Sequence, residues 1–392
     1  MYIGYTEEQE ALRGELREYY AKLLTPEVQE GLHEGQGVGP VMRQVVKQMG
    51  ADGWLGVGWP TEYGGRGLTP IEQFIFFDES MRAGAPVPML TINSVAPSIM
   101  KFGTQEQKDF FLPQILKGEI HFCIGYTEPS AGTDLASLKT RADREGDEYV
   151  INGQKVYTSL ASDSDYIWLA ARSEQDAPKH KGLSMFAIEM KTPGITVDPM
   201  TLLASHDINT TFFDDVRVPA STMVGNPGDG WAAITNQLNH ERVTLCSVGM
   251  LAGAYDACVE WARASRLSDG RRVIDQEWVQ MNFAKVHAWL EFLKLINWKV
   301  AWASTEGSLD VADASTIKVF GTEQYLEAIR LMMEVLGPRG YLGQGTPQSV
   351  IGGRLENLYR SLLILTFGGG TNEVQRDLIG LFGLGLPRIP RH

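Results

Sequence analysis

Between about residues 121 and 230 the hydrophobic period of this chain is two; on both sides of that stretch it is three to four. A side chain that changes face at every residue belongs on a strand, and one that returns every 3.6 residues belongs on a helix. The change of period therefore commits the chain to a helical segment, a β segment and a second helical segment, an α+β layout. We place the boundaries at 1–121, 122–230 and 231–392. With 392 residues, a separate core can be buried in each.

In the first segment Thr6 stands ahead of Glu7, Glu8 and Glu10, an N-cap arrangement, and Leu12, Leu16, Tyr19 and Leu23 recur at helical spacing. Further helices are predicted over 40–50, 69–83, 92–102 and 105–117, while Pro60, Gly64, Gly65 and Gly67 exclude one from 56–68. In the middle segment strands are predicted over 122–126, 148–151, 155–159, 166–172, 184–190 and 210–216. Glu145-Gly146-Asp147, Asn152-Gly153 and Pro193-Gly194 read as the turns between them. Short connections with no intervening helix predict a mainly antiparallel sheet, a small barrel or sandwich. In the last segment helices are predicted over 231–265, 275–305, 311–336 and 351–365, with one more after Gly370. Two of these exceed the usual globular length, so a four-helix bundle is expected.

Several function classes fall away. A formal net charge of −13 argues against a nucleic-acid surface, although local Arg and Lys can still hold an anionic substrate. The three cysteines, Cys123, Cys246 and Cys258, have no metal or CxxC spacing and read as reduced, buried thiols of a cytoplasmic protein. The seven histidines do not cluster, so no metal is expected. The acidic, amphipathic N-terminus is not a signal peptide, and no apolar run reaches membrane-spanning length. The common nucleotide-binding glycine loops and the GxSxG nucleophile elbow are absent, so a nucleotide cofactor would be held in another way.

Three stretches carry chemistry. From Cys123 to Ser159 a strand opens into a loop in which Tyr126, Thr127, Ser130 and Thr133 offer hydroxyls beside backbone freed by Pro129 and Gly132. Such a loop suits a flat polar ring; it also suits a surface turn. On the helix from Trp231, Leu238, Glu241, Leu245, Val248 and Ala252 fall three and four apart, so Glu241 is a carboxylate on an apolar stripe. Burial would raise its pKa toward that of a general base, whereas at the stripe's edge it would pair with an arginine or reach water. At 366–380, TFGGGTNEVQRDLIG, three glycines free a turn ahead of a helix N-terminus, a place for an anionic or carbonyl oxygen or a plain inter-helix turn. The Gly/Pro loop at 336–343 reads as a turn.

YTEPSAGTDLAS, EYVINGQKVYTS, FFDDVRVP, LNHERVTLCSVGMLAG and FGGGTNEVQRDLIG, in that order, resemble the acyl-CoA dehydrogenase family from about residue 5 to about 385. The resemblance implies FAD, tetramers built from dimers, oxidation of an acyl-CoA to the 2,3-enoyl thioester, and an electron-transferring flavoprotein as acceptor. It places Tyr126, Thr127, Gly132 and Thr133 against the isoalloxazine, with Thr133 also near the flavin phosphate or the CoA. Tyr157 stands where most members have Trp, and Ser159 matches a ring-bonding hydroxyl. Asn239 and Arg242, with Phe367, line the acyl and pantetheine channel; Glu334, Gly337, Thr371 and Glu373 match residues that hold the pyrophosphate and adenine of a neighbouring subunit's FAD.

Two departures stand out. Where most members carry the catalytic glutamate of a YEGT sequence, this chain has Gly369, which keeps the backbone N–H that holds the thioester oxygen. Isovaleryl and long-chain members put the base on the helix, at the position of Glu241. The FAD-clasping R-x-x-F-G sequence reads Arg266-Leu267-Ser268-Asp269-Gly270, with an acid in place of Phe. Both departures look like the actinobacterial steroid side-chain acyl-CoA dehydrogenases, α2β2 heterotetramers of homologous subunits. The expectation is a soluble homotetramer or such a heterotetramer acting on a steroid side-chain or branched acyl-CoA. The alternatives are a subunit that needs its partner to bind FAD, a flavin oxidase or monooxygenase of the same fold, and a non-enzymatic scaffold subunit.

Overall fold

The computed structural model describes residues 4–35, 38–204 and 208–388, and for residues 238–245 the helical backbone alone. In chain order the first helices are α1 (Glu7–Leu23), α2 (Pro26–Glu34), α3 (Pro40–Ala51), α4 (Pro70–Ala83), α5 (Ala96–Phe102) and α6 (Gln105–Leu116). Eight strands follow among the described residues: β1 (Phe122–Gly125), β2 (Arg141–Glu145), β3 (Glu148–Ser159), β4 (Tyr166–Arg172), β5 (Leu183–Glu189), β6 (Ile195–Met200), β7 (Ile208–Pro219) and β8 (Met223–Val224). Helix then returns as α7 (Gly230–Leu245), α8 (Gly249–Ala264), α9 (Glu277–Thr305), α10 (Val311–Leu336), α11 (Arg354–Leu362) and α12 (Asn372–Leu378). The α+β layout read from the periods is the layout observed. Thr6 caps α1 as expected, its hydroxyl accepting from the Gln9 N–H while the Gln9 side chain accepts from the Thr6 N–H. None of the described helices is long and apolar enough to cross a membrane.

Two compact units can be distinguished. The first comprises Thr25–Leu68 and Pro86–Glu241 and contains the sheet. Its strands run in the order β6-β7-β3-β2-β4-β5-β8, with β1 beside β4. Most pairs are antiparallel; β1 and β4 run parallel, as does the short β2–β4 contact. Cys123, Ile151, Ile167, Leu169, Phe186, Ile188 and Val216 fill the core on one side.

The sequence reading broke β3 at Asn152-Gly153, and this is corrected. The strand runs on through both residues with a register shift between Ile151 and Gly153. The Asn152 side chain donates to Asp215 Oδ1 at 3.0 Å and accepts from the Asp215 N–H at 2.8 Å, replacing ladder bonds by a side-chain bridge. A Cβ on Gly153 would lie 2.5 Å from Thr140 Oγ1, so the glycine serves close backbone approach in a bulge rather than a hairpin turn. Strands β2 and β6 lay outside the predicted set. β2 buries only Ala142, and β6 is an edge strand with no fully buried side chain, its alternation ending after four residues at Pro199.

The second unit comprises Met1–Leu24, Thr69–Ala85 and Arg242–His392. Leu251, Cys258, Phe283, Leu290, Ile317, Ile329 and Met332 are among its core residues. Buried Glu79 of α4 accepts from Arg13 and Arg17 of α1 at 2.8 and 2.7 Å. The single helix expected over 231–265 is two helices, with α7 ending at Leu245 and α8 starting at Gly249. Side chains from three other helices hold the break. Asn297 Nδ2 donates to the Cys246 carbonyl at 2.9 Å, and the Tyr325 hydroxyl donates to the Ser247 carbonyl. Asp78 accepts from the Ser247 hydroxyl at 2.6 Å and the Gly249 N–H at 2.8 Å. These partners satisfy backbone groups that a continuous helix would have paired internally. The stripe read through Leu238, Glu241, Leu245, Val248 and Ala252 therefore spans two helices rather than one. The helix expected over 351–365 is likewise shorter, because Gly352 and Gly353 take φ of 66° and 70° and α11 begins only at Arg354.

Candidate functional site

In the sheet-bearing unit the loop after β1 is fastened from below. Lys155 of β3 is fully buried; its Nζ donates to Glu128 Oε1 at 2.8 Å and to the Tyr126 carbonyl at 3.2 Å. The Glu128 carboxylate also accepts from the N–H groups of Lys139 and Thr140 at 2.6 and 2.8 Å. Burial pushes the Glu128 carboxyl up, but Lys155 and these donors hold it below its ordinary value. Burial pulls Lys155 down to about 8 against the upward pull of Glu128. Glu128 and Ala131 exchange backbone hydrogen bonds across Pro129-Ser130, and the Val156 N–H donates to the Thr127 carbonyl at 2.8 Å. The loop is thus a braced turn, with Thr127 beside the β3 residues that precede Tyr157.

Tyr157 sits at a second irregularity of β3, where the register shifts between Lys155 and Thr158. Its φ is 59°, a left-handed value that costs a non-glycine residue free energy, and its ring is 63% exposed. Gly132 and Thr133 are exposed; Thr127 and Ser159 are half-buried. The Tyr126 hydroxyl donates to Gln237 Oε1 of α7. Gln237 is buried, and its Nε2 has no hydrogen-bond partner among the described residues. Glu241 lies one helical turn further along α7. The side chains of Glu241, Asn239 and Arg242 lie outside the described residues.

In the bundle unit, the turn at 366–371 leaves the 3-10 turn at Leu363–Thr366 and enters α12. Gly369 and Gly370 have φ of 68° and 98°, conformations that only glycine adopts without strain. Among the described residues the Gly369 N–H donates to no protein group, and the neighbouring Phe367 ring is 59% exposed. Thr371 is the N-cap of α12, its hydroxyl accepting from the Val374 N–H, and Glu373 is exposed in the first turn.

The remaining candidates are engaged locally. Glu334 receives Arg330 on one oxygen and Asn282 Nδ2 at 3.2 Å on the other, and Gly337 ends α10 with φ of 63°. Arg266 donates to the Gly270 carbonyl at 2.8 Å within its own loop. Asp269, the acid in place of Phe, is held below its ordinary pKa by its hydrogen bonds with Arg271. The structure thus places Tyr126, Thr127, Gly132, Thr133, Tyr157 and Ser159 in the sheet-bearing unit, and Arg266, Glu334, Gly337, Phe367, Gly369, Thr371 and Glu373 in the bundle unit. Sequence reasoning missed Glu128, Lys155 and Gln237. Glu128 stands inside the motif that was singled out, yet its partner is 27 positions away, and nothing local marks the pair. No group of three or more metal-ligating side chains occurs among the described residues.

Three family models match in order: the N-terminal domain of acyl-CoA dehydrogenase over residues 6–119, its middle domain over 123–216 and its C-terminal domain over 228–382. The chain belongs to the acyl-CoA dehydrogenase family and is an oxidoreductase. It is 53% identical to acyl-CoA dehydrogenase FadE26 of Mycobacterium tuberculosis over the full length of both chains. Among solved structures it resembles a chain of the ChsE4-ChsE5 complex of Mycobacterium tuberculosis, with 53% identity, a TM-score of 0.94, and 99% and 100% of the two chains covered. It also resembles the Tcur3481-Tcur3483 steroid ACAD, with 44% identity, a TM-score of 0.94 and the same coverage.

Proposed function

We propose that the chain is an FAD-dependent subunit that oxidises a steroid side-chain or branched acyl-CoA to its trans-2,3-enoyl thioester, with Glu241 as the base. The observation that carries this reading is the turn at Gly368–Gly370, which offers a free N–H and no carboxylate, while α7 carries Glu241 one turn after Gln237, the partner of the loop residue Tyr126. The residues of the loop fit a flat polar ring. Thr127 and Thr133 supply hydroxyls, Tyr157 an exposed aromatic face, Ser159 a further hydroxyl, and Gln237 a buried amide donor with no partner among the described residues. Arg266, Glu334, Gly337, Thr371 and Glu373 would hold the pyrophosphate and adenine of a neighbouring subunit's cofactor. FAD, when bound, accepts the hydrogen that leaves the β-carbon with its electron pair.

The chain's own residues do the rest. The Glu241 carboxylate takes the α-proton, and the Gly369 N–H donates to the thioester carbonyl as negative charge builds on its oxygen. Asn239, Arg242 and Phe367 line the path of the acyl-pantetheine chain. The steroid reading and the α2β2 assembly with a homologous subunit are supported by the complexes that the chain resembles; an electron-transferring flavoprotein is the expected acceptor. Glu241→Gln in the assembled protein tests the base. Loss of turnover with a dye acceptor by roughly 10²–10⁴-fold, with flavin still bound, is expected. Near-normal turnover with flavin retained overturns the assignment.

A further inference from the structure

Lys318 of α10 is fully buried, an unusual place for an ammonium. Its Nζ donates to the Thr366 carbonyl at 3.1 Å, the Gly370 carbonyl at 2.6 Å and Asn372 Oδ1 at 2.8 Å. The first two bracket the glycine turn. The third opens α12, and Asn372 is itself fixed, its Nδ2 donating to Thr322 Oγ1 at 3.0 Å and Glu323 Oε1 at 3.1 Å. Lys318 stands one turn before the adjacent Thr322 and Glu323 on the same helix, so α10 forms a rigid base under the turn. Three consecutive glycines would otherwise sample many conformations, and an N–H that wanders cannot stabilise a developing charge without reorganising first.

We propose that Lys318 is the positioning residue that fixes the Gly368–Gly370 turn so that the Gly369 N–H points at the thioester carbonyl. The proposal rests on the role given to Gly369 above. The ammonium draws the carbonyls of Thr366 and Gly370 toward α10, so the peptide planes at both ends of the turn are set by one buried charge. Between them the Phe367 and Gly368 N–H groups donate to the Ile364 carbonyl at 3.1 and 2.7 Å, and the Gly369 N–H has no protein acceptor among the described residues.

The test uses the flavin-loaded assembled protein in a Glu241→Gln background, once slowed turnover of that variant has been measured as above. Calorimetry measures binding of an acyl-CoA thioester and of the matched S-alkyl-CoA thioether, which lacks the carbonyl. Hydrogen exchange is followed at residues 366–372. Lys318→Met keeps the length of the side chain and removes the charge. The expected result is thioester binding weakened about tenfold, the scale of one hydrogen bond, with thioether binding unchanged and faster exchange at 366–372. A thioester preference that survives Lys318→Met, equal weakening of both ligands, or unchanged exchange overturns the role of Lys318. Equal binding of the two ligands before Lys318 is changed overturns the reading of Gly369 instead. Where Lys318→Met gives no folded protein, Lys318→Gln, which retains an amide donor, is measured in the same way: an intermediate loss of preference supports the proposal, and none overturns it.

Discussion

Glu128→Gln exchanges one buried carboxylate oxygen for an NH2 group directly beneath the loop at 126–133. In the native protein that carboxylate accepts from Lys155 at 2.8 Å, from the Lys139 N–H at 2.6 Å and from the Thr140 N–H at 2.8 Å. The amide oxygen of Gln keeps part of this, but its NH2 must face one of the same donors, and the Lys155 ammonium loses its counter-charge. Removing one partner of a buried ion pair costs about 3–5 kcal/mol, and the retained acceptor places the expected loss near the lower end. The loss is local, so native-state hydrogen exchange of the Ala131, Thr140 and Val156 amides measures it better than a global melt of a chain with two units. A pH series fixes the cause. Burial lowers Lys155 to about 8 even with Glu128 present, so without Glu128 its proton leaves at a lower pH still. A lysine with a folded pKa below its unfolded value binds fewer protons when folded, and stability then rises with pH through that window. The deficit of the variant should therefore shrink as pH is raised toward about 8 and stay constant above it. A deficit below about 1 kcal/mol, or one that grows with pH over that range, would refute the ion-pair account.

Two further outcomes are expected. Asp78→Ala removes the acceptor of the Ser247 hydroxyl and leaves the Gly249 N–H only the Ser247 Oγ at 3.0 Å, and should destabilise the bundle unit by about 1–3 kcal/mol, read as a lower midpoint in thermal or urea unfolding; an unchanged midpoint would show that the break does not depend on Asp78. Cys246 and Cys258 are pushed up to about 12 by burial, which leaves roughly one part in 10⁴ as thiolate at pH 8. Neither thiol should react with a disulfide reagent until denaturant is added, and rapid labelling of either in the folded protein would contradict their placement in the core.

The architecture was legible because burial imposed its pattern on long segments: α9 and α10 are amphipathic over 29 and 26 residues, and β4 and β5 are short apolar runs buried on both faces. What failed in the reading was decided by partners distant in sequence. Asn152-Gly153 has the composition of a hairpin turn, but Asp215 and Thr140 make it a bulge. The residues 246–248 have no breaker among them; Asp78, Asn297 and Tyr325 end the helix there. The same holds for the candidate site. Hydroxyls and glycines announced the loop and the turn, whereas the buried charges that hold them, Lys155 with Glu128 and Lys318 under Gly370, looked like ordinary surface lysines and glutamates in the one-dimensional pattern.

The interruption between α7 and α8 also separates their rotational phases. In a continuous helix, one inserted residue turns everything beyond it by about 100° and would carry a core-facing side chain out to solvent. Here the chain stops at Leu245 and restarts at Gly249, with the intervening carbonyls held by fixed side chains. The packing of Leu251, Ala254 and Cys258 beyond the break therefore does not inherit the rotational phase of α7.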